Sequence, residues 1–359
     1  MLRSLFNVNS RDDIDLNLNR IEKALDLINN PCKKIPGIQI IGTNGKGSIA
    51  SFLESCLLEK SIKVGCTTSP HIFDWCERIR VAGTKITKKE FETRIYNIHT
   101  KSKNLTQFEL VIACALDYFE YKNVELIILE AGLGGRLDAT TAHPYRPIIG
   151  IGSIDLDHCE YLGNSIEEIT YEKGATISPG SIVVSSIQKK KVEIILEKLA
   201  YKNNAKIKWV KALSQNWELG IPGEIQRNNA AVAKGILEEL VKFGWKLEEK
   251  NIINGLKNAS WPARLQKVSW QDKPLLLDGA HNPGAARILA KERSLWDGNK
   301  EGVHWIIGIQ SHKNGPEIIK SLIKEKDLAW IVPVPNHQSW TKSNLEKSCP
   351  ELSGRINQS

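Results

Sequence analysis

Ile38-Gln39-Ile40-Ile41-Gly42-Thr43-Asn44-Gly45-Lys46-Gly47-Ser48-Ile49-Ala50-Ser51-Phe52-Leu53 is the stretch that decides the fold. An apolar run ends at Ile41 as a buried strand does, and an amphipathic helical pattern opens at Ile49. Between them, three glycines let the backbone turn tightly and aim successive N–H groups at an anion. The helix N-terminus behind them adds partial positive charge. Lys46 offers a mobile cation for outer phosphates, and Ser48 a hydroxyl suited to phosphate or Mg²⁺. Gly45, Lys46, Gly47 and Ser48 therefore read as a triphosphate cradle. The strict P-loop spacing is not met: Ile40 stands where the first glycine belongs, and Gly47 separates Lys46 from Ser48.

Working outward, apolar runs alternate with amphipathic stretches, which predicts an α/β fold with a mainly parallel sheet. Strands are expected at 38–41, 62–66, 126–129, 148–151 and 182–184. Three helix starts carry capping-box spacing: Thr87 with Glu90, Thr106 with Glu109, and Ser165 with Glu168. Two helical patterns lie between 220 and 260. Trp261-Pro262-Ala263 breaks the rhythm, so the domains are placed at 1–262 and 263–359. The second, smaller α/β unit has expected strands at 274–277, 303–307 and 330–332. Asn282-Pro283 reads as a cap with a first-turn proline.

The length of 359 residues suits two domains. No apolar stretch approaches the roughly 20 residues that span a bilayer, and the N-terminus lacks a signal-peptide core. Seven cysteines without a Cys-x-x-Cys pair indicate neither a disulfide framework nor zinc. A cytoplasmic monomer is expected. The net charge of +8 suits anionic ligands, but the lysines are dispersed and no basic–aromatic interleaving points to nucleic acid.

Polar clusters fall at the expected carboxyl ends of strands, where open α/β sheets bind ligands. Glu130 ends one strand and is placed to hold Mg²⁺, directly or through water, or to be a solvated terminus. His158, in Asp155-Leu156-Asp157-His158, reads equally as a ligand or a packed histidine. Ser69 before Pro70 reads first as a turn former and second as a metal ligand. Glu109 has its capping box as an alternative role.

Taken together, Gly42–Ser48, Ser69-Pro70-His71, Glu77-Arg78-Ile79, Thr106–Glu109 and Glu130–Thr140 stand in a telling order. Asp157-His158, Glu172-Lys173, Gln226 with Asn229-Ala230, Arg264-Leu265-Gln266 and Asp278–Pro283 follow. The chain resembles the folylpolyglutamate synthase / dihydrofolate synthase family of Mur-ligase-like enzymes over nearly its whole length. Gly-Thr-Asn-Gly-Lys-Gly-Ser is that family's own phosphate loop.

The resemblance implies ATP phosphates on Gly45–Ser48, and Mg²⁺ ligated by Ser69, Glu130 and His158. It implies a pterin site lined by Thr106, Gln107, Phe108 and Glu109 with Leu137, Asp138 and Ala139. It assigns Asn229, Arg264, Asp278 and His281 to ATP, and makes Lys173 a carbamate, a hard oxygen ligand. Lys46, His158 and Lys173 are then the residues of catalysis. The implied reaction is amide formation: a substrate carboxylate attacks the γ-phosphorus, and the amine of L-glutamate then attacks the acyl phosphate. Dihydropteroate, reduced folates or both are the expected acceptors. A folylpolyglutamate synthase alone, another Mur-type ligase, and a P-loop kinase are the alternatives. Gly174-Ala175 replaces the family's Ala-Gly, Thr141 replaces Asn, and His312-Lys313-Asn314 replaces Asp-Lys-Asp. The small domain is expected to be short, with room for about three strands.

Overall fold

The computed structural model describes residues 16–296 and 302–358, which form two compact units divided after Gln266. The first opens with α1 (Asn19–Leu27), β1 (Gly37–Ile41), α2 (Lys46–Leu58) and β2 (Val64–Thr67). It continues through β3 (Ile79–Val81), β4 (Thr84–Lys85), α3 (Lys88–Lys101), α4 (Gln107–Tyr121) and β5 (Leu126–Glu130). Then come β6 (Ile148–Ile151), the short α5 (Cys159–Leu162), α6 (Ile166–Gly174), β7 (Ile182–Ser186) and α7 (Lys190–Lys202). β8 (Lys206–Val210), α8 (Glu224–Lys242) and α9 (Glu249–Asn258) complete it.

The eight strands form one sheet in the order β4-β3-β2-β5-β1-β6-β7-β8. β2, β5, β1, β6, β7 and β8 run parallel, and β3 and β4 add an antiparallel edge. Chain order reverses direction around β1, because β2 lies beyond β5 on one side and β6 lies on the other. Strand periodicity sends alternate residues to opposite faces. Ile38, Ile40 and Ile128 pack with Phe52 and Leu53 of α2 and with Ile236 of α8. Ile127 and Leu129 meet Ile95 of α3 and Phe119 of α4, while Ile149 and Val183 meet Ile169 of α6 and Leu196 of α7. Burial on both faces is what a near-continuous apolar run such as Leu126–Leu129 requires.

The three expected capping boxes form, each with reciprocal side-chain and backbone hydrogen bonds. The register sets Ile40 opposite both Glu130 and Gly150, so the loops after β1, β5 and β6 leave the sheet at one edge.

The second unit holds β9 (Gln266–Trp270), β10 (Lys273–Leu277), α10 (Pro283–Lys291), β11 (His304–Ile307) and α11 (Gly315–Leu322). β12 (Leu328–Ile331), α12 (Lys342–Ser348) and β13 (Ile356–Gln358) follow. β11, β12 and β13 form a parallel sheet. The strand expected at 274–277 belongs elsewhere: it pairs with β9 in a separate two-stranded sheet. Asn282 caps α10 by accepting from the Ala285 N–H at 2.8 Å, with Pro283 in the first turn. Buried Asp327 organises this unit, accepting from both terminal nitrogens of Arg293, the Val303 and Lys324 N–H groups and the Trp305 indole.

Candidate active site

Gly45 turns the chain into α2 with φ +86°, and a Cβ there would lie 2.3 Å from Asn229 Oδ1. Conformation and space both demand glycine. Asn229 comes from α8, is buried, and donates to Gln226 Oε1 at 2.9 Å. The loop is braced from β6, since the Thr43 N–H donates to Ser153 O and the Thr43 hydroxyl to Asp155 O, both at 2.8 Å. Lys46 folds back on its own loop, Nζ donating to Gly42 O at 3.0 Å and Thr43 O at 3.3 Å. Ser48 is 1% exposed, and its Oγ finds no hydrogen-bond partner. An orphaned buried hydroxyl costs about 1–3 kcal/mol, and a phosphate oxygen or a metal-bound water at this loop would satisfy it. The cradle fits a nucleotide.

Lys173, near the C-terminal end of α6, is 4% exposed and donates from Nζ to Gly42 O at 3.2 Å. Two lysines thus converge on one carbonyl. Burial pulls the Lys173 ammonium down to about 7; the charge of Lys46 adds to this, and Asp157 and Asp138 oppose it. Lys46 is also lowered by burial, against the pull of Glu130, Asp157 and Asp138. Glu130 is buried, and its carboxyl is pushed up by that burial while Lys46 holds it down.

The Ser69 N–H donates to Glu130 Oε2 at 2.9 Å, which brings two of the residues assigned to metal together. His158 begins α5 in left-handed backbone (φ +52°), with Nε2 3.9 Å from Asp157 Oδ2. Among the described residues no three His, Cys, Asp or Glu side chains gather as a ready-made metal cage. Mg²⁺ suits such a sparse set, because it keeps several waters and binds through one or two carboxylates plus substrate phosphates. Asp157 received no role from sequence. Its signal was present, as the acid directly before His158 in a strand-end loop.

Arg264 lies in the last turn of the first unit between Ala263 (φ +52°) and Leu265 (φ +44°), and its charge is felt at Lys46 and Glu130. Asp278 and His281 sit in the second unit, on the loop between β10 and α10. There Asp278 Oδ1 accepts from the Ala280 N–H at 2.9 Å, and His281 Nδ1 lies 2.9 Å from Gly279 O.

The loop that carries Leu137, Asp138 and Ala139 packs against the Thr106–Glu109 segment through its earlier residues. The Phe108 ring lies over Gly132, where a Cβ would come within 2.7 Å of it. Leu137 is half-buried and Ala139 buried in the same loop, and Thr106 and Gln107 open α4. The carboxylates, however, are committed inside the protein. Asp138 accepts from the N–H groups of Gly132 (2.8 Å), Leu133 (2.9 Å) and Thr140 (2.9 Å) and from the Thr140 hydroxyl (2.5 Å). Glu109 accepts from the Thr106 N–H at 2.7 Å and from Arg20 at 3.2 and 3.1 Å. The acceptor capacity of Asp138 is taken up within its own loop. The exchanged pair is accommodated as well: Gly174 ends α6, where a Cβ would meet Leu196 and Leu199 of α7 within 2.9 Å.

A parallel sheet with a glycine-rich phosphate loop after its central strand, followed by a small α/β unit, defines a Mur-ligase-like, ATP-dependent amide ligase. Residues 262–339 match the model of the dihydrofolate synthetase C-terminal domain. The chain is 31% identical to a probable dihydrofolate synthetase of Schizosaccharomyces pombe, over 88% of this chain and 81% of that one. Escherichia coli FolC, solved with DHPP and ADP, superposes with a TM-score of 0.86 at 26% identity, covering 100% of this chain and 87% of that one. A bifunctional folylpolyglutamate synthase/dihydrofolate synthase from Yersinia pestis, complexed with AMPPNP and Mn, gives a TM-score of 0.86 at 27% identity, covering 100% and 88%. The chain belongs to the folylpolyglutamate synthase / dihydrofolate synthase family. It is an enzyme, an ATP-dependent ligase of glutamate to folates. Among the described residues no helix is long and apolar enough to cross a membrane.

Proposed function

We propose that this chain joins L-glutamate to dihydropteroate and also to reduced folates. The observation that carries the reading is the unfinished phosphate loop: two lysines on one carbonyl, an orphaned serine hydroxyl, and three buried carboxylates around them. Lys46 swings from Gly42 O to the outer phosphates, where it neutralises charge as the substrate carboxylate attacks. Gly45, Gly47 and Ser48 cradle the phosphates from the backbone, and Asn229 and Arg264 steady the nucleotide. Asp278 and His281 keep a nucleotide role by motif alone.

Ser69, Glu130 and His158 would hold Mg²⁺, which supplies charge neutralisation when bound. Lys173 reacts as the neutral amine with carbon dioxide, forming the N–C bond of a carbamate and releasing a proton. Its isolation supports this, since among the described residues it makes no ion pair with a carboxylate. Thr106, Gln107, Phe108, Leu137 and Ala139 present a ring-and-aliphatic surface to a flat heterocycle, with Glu109 and Asp138 shaping that surface from behind. The functional division lies close to the sequence break between 262 and 263, with nucleotide and pterin on the unit that ends at Gln266 and the small domain beyond it. Seven cysteines, none of them in a disulfide, support a reducing cytoplasm.

Phosphate release measured with dihydropteroate and with tetrahydrofolate, each with and without glutamate, tests the reading. Glutamate-dependent release is expected with both acceptors. Release with tetrahydrofolate alone reduces the activity to folylpolyglutamate synthase, and release without glutamate removes the ligase reading.

A further inference from the structure

Gly47 is the residue that spoils the usual P-loop spacing, and sequence treats it as one more flexible donor. Its backbone needs no flexibility. Gly47 lies in the first turn of α2 and is not among the glycines with positive φ. What excludes a side chain there is a neighbour: a Cβ on Gly47 would lie 2.9 Å from Cε2, Cζ2 and Nε1 of Trp261. The indole is seated on the phosphate loop where a side chain would otherwise be.

Trp261 is itself held. The Ser51 hydroxyl of α2 donates to Ser260 O at 2.8 Å, pinning the preceding residue to the same helix. The Arg80 guanidinium stands 5.3 Å from the indole centroid. Arg80 cannot wander, because it donates to Glu54 of α2 (2.9 and 2.7 Å), the Thr68 hydroxyl (3.0 Å) and Glu77 O (3.0 Å). Immediately after the indole, Ala263 and Leu265 take left-handed backbone on either side of Arg264. Non-glycine residues hold such conformations only where their surroundings over-determine them. The Ala263 N–H donates to Gln266 Oε1 at 3.0 Å and the Arg264 guanidinium to Ala263 O at 2.8 Å, and the anchored indole just upstream ties this turn to α2.

We propose that Trp261 is a positioning residue for the nucleotide. The indole on Gly47 fixes residues 261–265 so that Arg264 bears on the phosphate loop, and position 47 is glycine because the ring takes its side-chain space. The inference rests on the reading of 42–48 as the nucleotide loop.

Calorimetric binding of ADP to the full chain, with circular dichroism to verify folding, tests it. Trp261→Phe, which keeps a ring, should bind within about threefold of the wild type, and Trp261→Leu should bind about tenfold more weakly, in line with the cost of misplacing a ligand-facing group. Gly47→Ala overpacks the site and should weaken ADP by roughly 100-fold. Adding Trp261→Leu to Gly47→Ala should return affinity to that of Trp261→Leu alone, a rescue that a purely phosphate-binding glycine would not show. A double variant no better than Gly47→Ala overturns the proposal. Should Gly47→Ala fail to fold, equal ADP affinity in Trp261→Leu and wild type overturns it alone. Absence of ADP binding to the wild type would instead remove the nucleotide reading beneath it.

Discussion

Two glycine-rich loops leave the same edge of the sheet, and they are finished to different degrees. The loop at 132–141 closes on itself: Asp138 takes two N–H groups at the loop's start and an N–H and a hydroxyl at its end, and the Thr141 hydroxyl donates to Gly135 O at 2.7 Å. The loop at 42–48 is open. Its lysine rests on carbonyls of its own turn, and its serine hydroxyl bonds to nothing. A buried polar group left unsatisfied calls for an explanation, and beside a lysine on a strand-to-helix turn a bound phosphate supplies one. Glycine content alone does not separate a structural loop from a ligand loop; where the polar groups of the loop are directed helps to do so.

Removing the clasp from the closed loop should have the largest effect, and on stability. Asp138→Ala takes the acceptor from three N–H groups and leaves the buried Thr140 hydroxyl with Gln39 alone, and should cost about 3–5 kcal/mol in urea unfolding. A loss under about 1 kcal/mol would erase the distinction between the loops. Lys46→Ala tests the open loop in the opposite currency. It should lower turnover by on the order of 10²-fold or more at saturating ATP, with the unfolding midpoint essentially unmoved.

The phosphate loop was legible because its signal is local: strand, glycines, lysine and helix fall within a dozen or so residues. The three capping boxes were legible for the same reason. What escaped was non-local or atypical. The hairpin of β9 and β10 turns through Gln271 and Asp272, both with positive φ, rather than through the Asn-Gly pair that advertises such a turn. β8 alternates Lys206 and Lys208 at the sheet edge and reads as surface. Asp157 and Trp261 reach the loop only through the tertiary fold. That Asp138 is occupied was not legible, because most of its partners are backbone groups that no side-chain pattern reports.

Lys173 sharpens the comparison, since it lies between the loops: Gly135 packs on its backbone, and its Nζ touches Gly42 O. With its ammonium lowered to about 7, the neutral amine that can take up carbon dioxide grows as pH rises. Turnover in bicarbonate should climb roughly tenfold from about pH 6 to about pH 8. The unfolded chain keeps that proton to higher pH, so wild-type stability should also rise from about pH 7 toward the ordinary lysine value. Lys173→Met should flatten both slopes, and persistence of the rate slope in that variant would assign it elsewhere. Ser48→Ala is the smallest test. It should lower turnover a few-fold while raising stability by up to about 1 kcal/mol, because it deletes an orphaned hydroxyl; a clear loss of stability would mean that Ser48 Oγ has a partner within the fold.

The open loop is assembled from far-separated stretches: Glu130 from β5, Asp157 from the loop after β6, Lys173 from α6, Asn229 from α8, and Trp261 and Arg264 from the final turn of the unit. During synthesis these stretches emerge in order, so the binding site exists only once the ribosome has released residue 264. A ligand can stabilise only a state that already binds it. ATP therefore gives no help to a nascent chain and no shelter from proteases to fragments that stop short of residue 264. Protection by nucleotide is therefore expected only of chains that extend through residue 264.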